Sequence, residues 1–112
     1  MKFIIEYGCG LSTEYLAIEA ENIEKATDFA YKSAIEDREG YEGSHGILDF
    51  AEYCEDEGID TETATQKEID DAWTGYWGMI EDEIYYAAHP FDENNECDID
   101  ILQGCDGVFF EI

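Results

Sequence analysis

Lys2-Phe3-Ile4-Ile5-Glu6-Tyr7-Gly8-Cys9-Gly10-Leu11-Ser12-Thr13-Glu14-Tyr15-Leu16-Ala17-Ile18-Glu19-Ala20 is the stretch on which the fold turns. Lys2 to Tyr7 is rich in β-branched and aromatic residues, as is usual in strands. Thr13 to Ala20 alternates Leu16, Ile18 and Ala20 with Tyr15, Ala17 and Glu19, which gives a strand one apolar face. Gly8-Cys9-Gly10 between them supplies a turn, so the simplest reading is a β-hairpin. Downstream, Asn22 is a good N-cap and Glu24 is well placed in the first turn. Ile23, Ala26, Phe29, Ala30, Ser33 and Ala34 recur at three- and four-residue steps, which predicts an amphipathic helix over 23–38. The glycine-rich loop 40–46 ends it. A short helix follows along Ile47, Phe50, Ala51 and Cys54, terminated by Gly58.

The clearest periodicity comes next. Thr65-Gln66-Lys67-Glu68 is a capping box, and Ile69, Ala72, Trp73, Tyr76, Trp77 and Ile80 form one helical stripe. That spacing assigns both tryptophans to the core. Glu83 to Ala88 reads as an extension of this helix or as a strand, with the strand favoured, and His89-Pro90 breaks it. Phe91 to Asp98 reads as an acidic loop. Asp100 to Gln103 and Val108 to Ile112 read as short closing strands. Strands, then helices, then strands predict an α+β fold: a small antiparallel sheet, N-terminal hairpin plus C-terminal strands, covered on one side by two to three helices. At 112 residues, 1–112 fits a single domain.

Charge is the extreme feature. Thirty Asp and Glu face five Lys and Arg, for a net charge of −25. The chain is nevertheless 45% hydrophobic with 16 aromatics, unlike an acidic disordered tail. Such self-repulsion opposes folding. It disfavours nucleic acid, anionic membranes and acidic substrates as direct partners, and leaves basic proteins and cations. A compact chain of this length has a radius of gyration of about 13 Å and a diameter of roughly 34 Å. Duplex DNA of that length carries about 20 charges, the same order as this protein. Salt adaptation is a poor explanation, because the chain has more Glu than Asp and 13 isoleucines. No uncharged run approaches the ~20 residues of a membrane helix. Met1 to Ile5 is followed at once by Glu6, too short a run for a secretory signal, which points to the cytoplasm.

Three acidic clusters are the candidate partner-binding residues: Glu36, Asp37, Glu39 and Glu42; Asp49, Glu52, Glu55, Asp56 and Glu57; and Asp70, Asp71, Glu81, Asp82 and Glu83. Tyr31, Tyr41, Tyr53, Tyr85 and Tyr86 are interleaved with acids, and tyrosine is enriched at interface hot spots. No catalytic or metal constellation emerges. Counting from Asp92, an EF-hand would need Gly at the sixth position and Glu at the twelfth, where Cys97 and Gln103 stand. The loop 40–46 lacks the lysine and hydroxyl of a phosphate cradle. A Cys54–His45 nucleophile pair would sit among carboxylates that raise a thiol pKa. Cys9, Cys54, Cys97 and Cys105 show no zinc spacing and read as reduced thiols. The expectation is therefore a protein that is not an enzyme and needs no cofactor.

With carboxylate-lined helices such as Asp49 to Glu57 and Asp70 to Glu83, the chain resembles the small acidic anti-defence proteins of phages and mobile elements, which include anti-CRISPR and anti-restriction DNA mimics. The resemblance is one of overall character. It implies an inhibitor whose carboxylates occupy the nucleic-acid-binding groove of a basic effector or nuclease. The alternative is an acidic adaptor or regulatory module in which aromatic contacts carry affinity and charge serves solubility.

Overall fold

A computed structural model describes residues 1–112. Strands β1 (Lys2–Gly8) and β2 (Thr13–Glu19) form the hairpin, paired from Lys2 with Glu19 to Gly8 with Thr13. Helix α1 (Ile23–Glu39) starts at Asn22, whose side chain accepts from the Lys25 amide. Helices α2 (Phe50–Asp56) and α3 (Gln66–Glu83) both open with reciprocal capping boxes, Asp49 with Glu52 and Thr65 with Glu68. Past α2, Gly58 takes a φ of 73° that an L-side chain rarely adopts. This lets the Ile59 and Gly58 amides bond back to the Cys54 and Glu55 carbonyls, closing the helix. Buried Ile84 alone separates α3 from strand β3 (Tyr85–Pro90), and the chain ends with α4 (Glu96–Gly104) and β4 (Phe110–Glu111).

The fold is α+β, with a four-stranded mixed sheet in the order β3-β1-β2-β4. Three features depart from the sequence expectation. Residues 100–103 are not a strand: they belong to α4, which also takes the end of the presumed acidic loop. Asp98, Ile99, Asp100 and Ile101 alternate like a strand, but the Asn95 side chain accepts from the Cys97 and Asp98 amides and starts a helix instead. The sheet is also not wholly antiparallel, because β4 pairs parallel with β2. A helical crossover from β3 delivers β4, and parallel strands need such a connection. Third, helices cover both faces. Phe3, Ile5 and Ile18 pack under Ala26 and Ala30 of α1, whereas Ile4 and Ala17 point to the other face and are fully buried there, where α4 packs on β2. His89 lies beside Ile4 on that face and bonds Asp98 of α4 at 2.9 Å. His89 and Pro90 therefore continue the strand, on an edge where proline is tolerated.

A second cluster forms past the middle of α1: Ala34 with Tyr76, Ile80 and Ile84. It carries α2 and α3 as a smaller helical unit beside the C-terminal part of α1. The molecule is consequently long, 57 × 27 × 18 Å with a radius of gyration of 17.6 Å, well above the value for a compact chain. No helix is long and apolar enough to cross a membrane.

Candidate protein-binding surface

The joint between the two units is built around Arg38. The residues of α1 facing inward are Ala26, Ala30, Ala34 and then Arg38, at four-residue steps. Ala26 and Ala30 let the helix sit close on the sheet, and Ala34 packs with Tyr76, Ile80 and Ile84. The arginine, 1% exposed, meets the second unit. Its Nε donates to Glu83 (2.9 Å), Nη1 to Glu42 (2.8 Å) and Nη2 to the Leu48 carbonyl (2.9 Å). The Tyr76 hydroxyl donates to the same Glu42 oxygen at 2.6 Å. Burial opposes the arginine's charge, but hydrogen bonds to Glu83 and Tyr76 more than offset it, so its pKa is raised. Burial first, and then the bond to Glu42, push the Tyr76 phenol up to about 12. Helix α1, the 40–49 loop and α3 are thereby tied at one point.

This network removes several acidic residues from the free surface. Glu42 and Glu83 are partners of Arg38. Asp49 and Glu52 satisfy each other's backbone amides. Asp37 is half-buried beside Cys9, with one carboxylate oxygen sealed from solvent and unbonded; burial, chiefly, pushes the Cys9 thiol up. The other proposed carboxylates are exposed: Glu36, Glu39, Glu55, Asp56, Glu57, Asp70, Asp71, Glu81 and Asp82. Asp70 accepts from Gln66 and Asp71 pairs with Lys67, both in open solvent where such contacts contribute little. Twenty-three of the thirty acidic residues are exposed in all. They are densest from Glu55 to Asp71, where eight exposed carboxylates stand against Lys67 alone.

Beside that segment the surface turns aromatic. Trp73, placed in the core by its spacing, is 48% exposed. The stripe on α3 is wider than the surfaces that cover it, so Ala72, Tyr76 and Ile80 are buried and Trp73 stays at the edge, packed against Phe50 and Tyr76. Trp77 is half-buried. Together with Ile35, Arg38, Glu39, Glu42 and Phe50, the two tryptophans line a cleft of about 320 Å³ between α1 and α3. Two more open depressions adjoin it along α1, one lined by Tyr31, Lys32, Ile35, Glu36, Glu39 and Trp77, the next by Ile23, Glu24, Thr27, Asp28, Tyr31, Glu81 and Tyr86. Tyr31 and Tyr86 pack edge to face at 5.2 Å. Burial, and then the Glu81 carboxylate, raise the Tyr31 pKa.

The cleft and these depressions form a seam along α1 that gathers Glu36, Glu39, Glu42 and Glu81 from the sequence-derived clusters. It does not include Asp37, which faces the sheet, nor the capping pair Asp49 and Glu52 or the outward carboxylates of α2. Sequence reading missed Glu24, Asp28 and the exposed edge of the tryptophans. One signal was available: Ile23, Thr27, Tyr31, Ile35 and Glu39 form a second four-residue row on α1 beside the alanine row.

The groups weighed for other chemistry are occupied or apart. Asp92, Asn95 and Asp98 cap and anchor α4. No three His, Cys, Asp or Glu side chains converge as a metal site. Cys54 is buried, His45 is exposed, and all four cysteines are free. No protein-family model matches the chain, and neither does any curated protein or solved structure.

Proposed function

We propose that this protein is a binding inhibitor that docks its α2–α3 unit on a basic, nucleic-acid-binding partner, an effector or nuclease, and excludes the nucleic acid. The observation that carries this reading is the concentration of eight exposed carboxylates against one lysine over Glu55 to Asp71, directly beside the exposed Trp73. Shape adds to it. Duplex DNA as long as this molecule, 57 Å, carries about 33 charges. A net −25 is therefore about three quarters of the duplex value. Carboxylates at that density attract a cationic groove at long range, and an aromatic anchor gives the contact a short-range component that charge alone lacks.

The test is to titrate the protein onto labelled DNA complexes of restriction and CRISPR effectors and follow release of the DNA. Release near stoichiometric amounts, weakening steeply as salt rises, is expected. Failure to release DNA from any effector, or release indifferent to salt and to E55K/D56K/D71K, contradicts the proposal. The exposed aromatic seam favours a second reading, an acidic regulatory module held by aromatic contacts. On that reading Trp73→Ala weakens binding more than the triple charge reversal does.

A further inference from the structure

The seam between α1 and α3 has a more specific geometry than an acidic patch. Its α1 wall is the row Ile23, Thr27, Tyr31, Ile35 and Glu39, which spans about 24 Å at 1.5 Å per residue. Its second wall is Trp73 and Trp77 of α3, one turn apart, followed by Glu81 of α3 and Tyr86 of β3 toward the Ile23 end. The floor is apolar and aromatic, and Ile23 is left 42% exposed at one end. Unpaired acidic side chains stand along it from Glu24 and Glu81 at that end to Glu36 and Glu39 at the other. The cations present are already engaged, Lys32 by Asp28 at 2.8 Å and Arg38 by its buried network.

We infer that this seam is a receptor for a cationic amphipathic helix of about 16 residues supplied by the partner. The inference rests on the basic-partner reading above and names the element that the partner inserts. Where Ile35 and Glu39 face Trp73 and Trp77, both walls are helices whose backbone groups bond within themselves, so this stretch of the groove offers an incoming chain no backbone partners; only the Ile23 end is bordered by an edge strand, β3, through Tyr86. An occupant must satisfy its own amides and carbonyls, which a helix does and an extended segment does not. Its apolar face would meet Tyr31, Ile35 and Trp77, and its lysines or arginines the acidic rims. A second copy of this chain, at −25, is repelled from the same groove.

The probe is a synthetic 16-residue leucine–lysine peptide with leucines on one helical face, set against a scrambled peptide of identical composition. Intrinsic fluorescence reports binding directly, because Trp73 and Trp77 are the only tryptophans. The amphipathic peptide is expected to bind at least tenfold more tightly than the scramble, with a blue shift in emission. E24K/E39K should weaken it at least fivefold, whereas E14K/E93K, on the sheet side away from the seam, should leave it within twofold. Both substitution pairs are at exposed sites. Equal binding of the two peptides overturns the helix receptor while leaving the basic-partner reading intact. Binding of neither overturns both. Tight binding that survives E24K/E39K but is lost with E55K/D56K removes the seam and leaves only the acidic end.

Discussion

At the residue scale the account turns on Arg38. Its planar head reaches Glu83, Glu42 and the Leu48 carbonyl at once, a geometry a single ammonium cannot reproduce. Arg38→Met is expected to destabilise the fold by about 3 kcal/mol, because Glu42 and Glu83 lose their cation while remaining half-buried. Arg38→Lys should fall between the two in a urea denaturation series. Tyr76 supplies a pH signature. Its folded pKa near 12 lies above the unfolded value of 10.0, so the stabilisation is complete below pH 10 and is lost as pH climbs toward 12. A shift of about two units corresponds to roughly 3 kcal/mol. Denaturation measured from pH 9 to pH 12 should show stability falling through that window, and Tyr76→Phe should make the fall shallower. Tyr7, whose pKa is raised first by burial and then by Glu14 and Asp37, adds to the slope in both proteins.

At the element scale, α3 offers an internal comparison. A Cβ on Gly75 would collide with the Tyr53 hydroxyl of α2, whereas one on Gly78 would meet nothing. Gly78→Ala should therefore stabilise the protein by about 0.5–1 kcal/mol through helix propensity. Gly75→Ala should gain less or lose, since Tyr53 must move. Chemical denaturation of the two variants measures the difference. The elements legible in sequence were those whose local signals agreed. Asn22 and Thr65 capped their helices, Gly58 closed α2, and the apolar face of Leu16, Ile18 and Ala20 set the hairpin. Helix α4 was not legible, because Asp98 to Ile101 satisfies a two-residue period as well as a helical one. The Asn95 cap starts the helix, and tertiary bonds of buried Asp98 to His89 and the Asp92 amide, which the sequence does not display, hold it in place. The candidate surface was half legible for the same reason. Carboxylate clusters are visible in one dimension, but Glu42 and Glu83 leave the surface only because Arg38 from another helix meets them. Trp73 joins the surface only because nothing packs over it.

At the scale of the whole molecule, charge and shape act together. A molecule 57 Å long places the carboxylates at its two ends well beyond the ~10 Å over which 0.1 M salt screens. The remaining repulsion within each unit predicts a melting temperature that rises with sodium chloride, most steeply at low ionic strength, and calorimetry will register it. The central claim is one of location: the end of the molecule formed by α2 and α3 does the binding. DNA displacement from a sensitive effector tests it most directly when E55K/D56K/D71K is compared with the same number of reversals on the sheet side, E14K/E93K/D106K. The account predicts at least a tenfold loss of potency for the first and a change within twofold for the second. Equal losses from both would mean that total charge, and no particular surface, makes the contact.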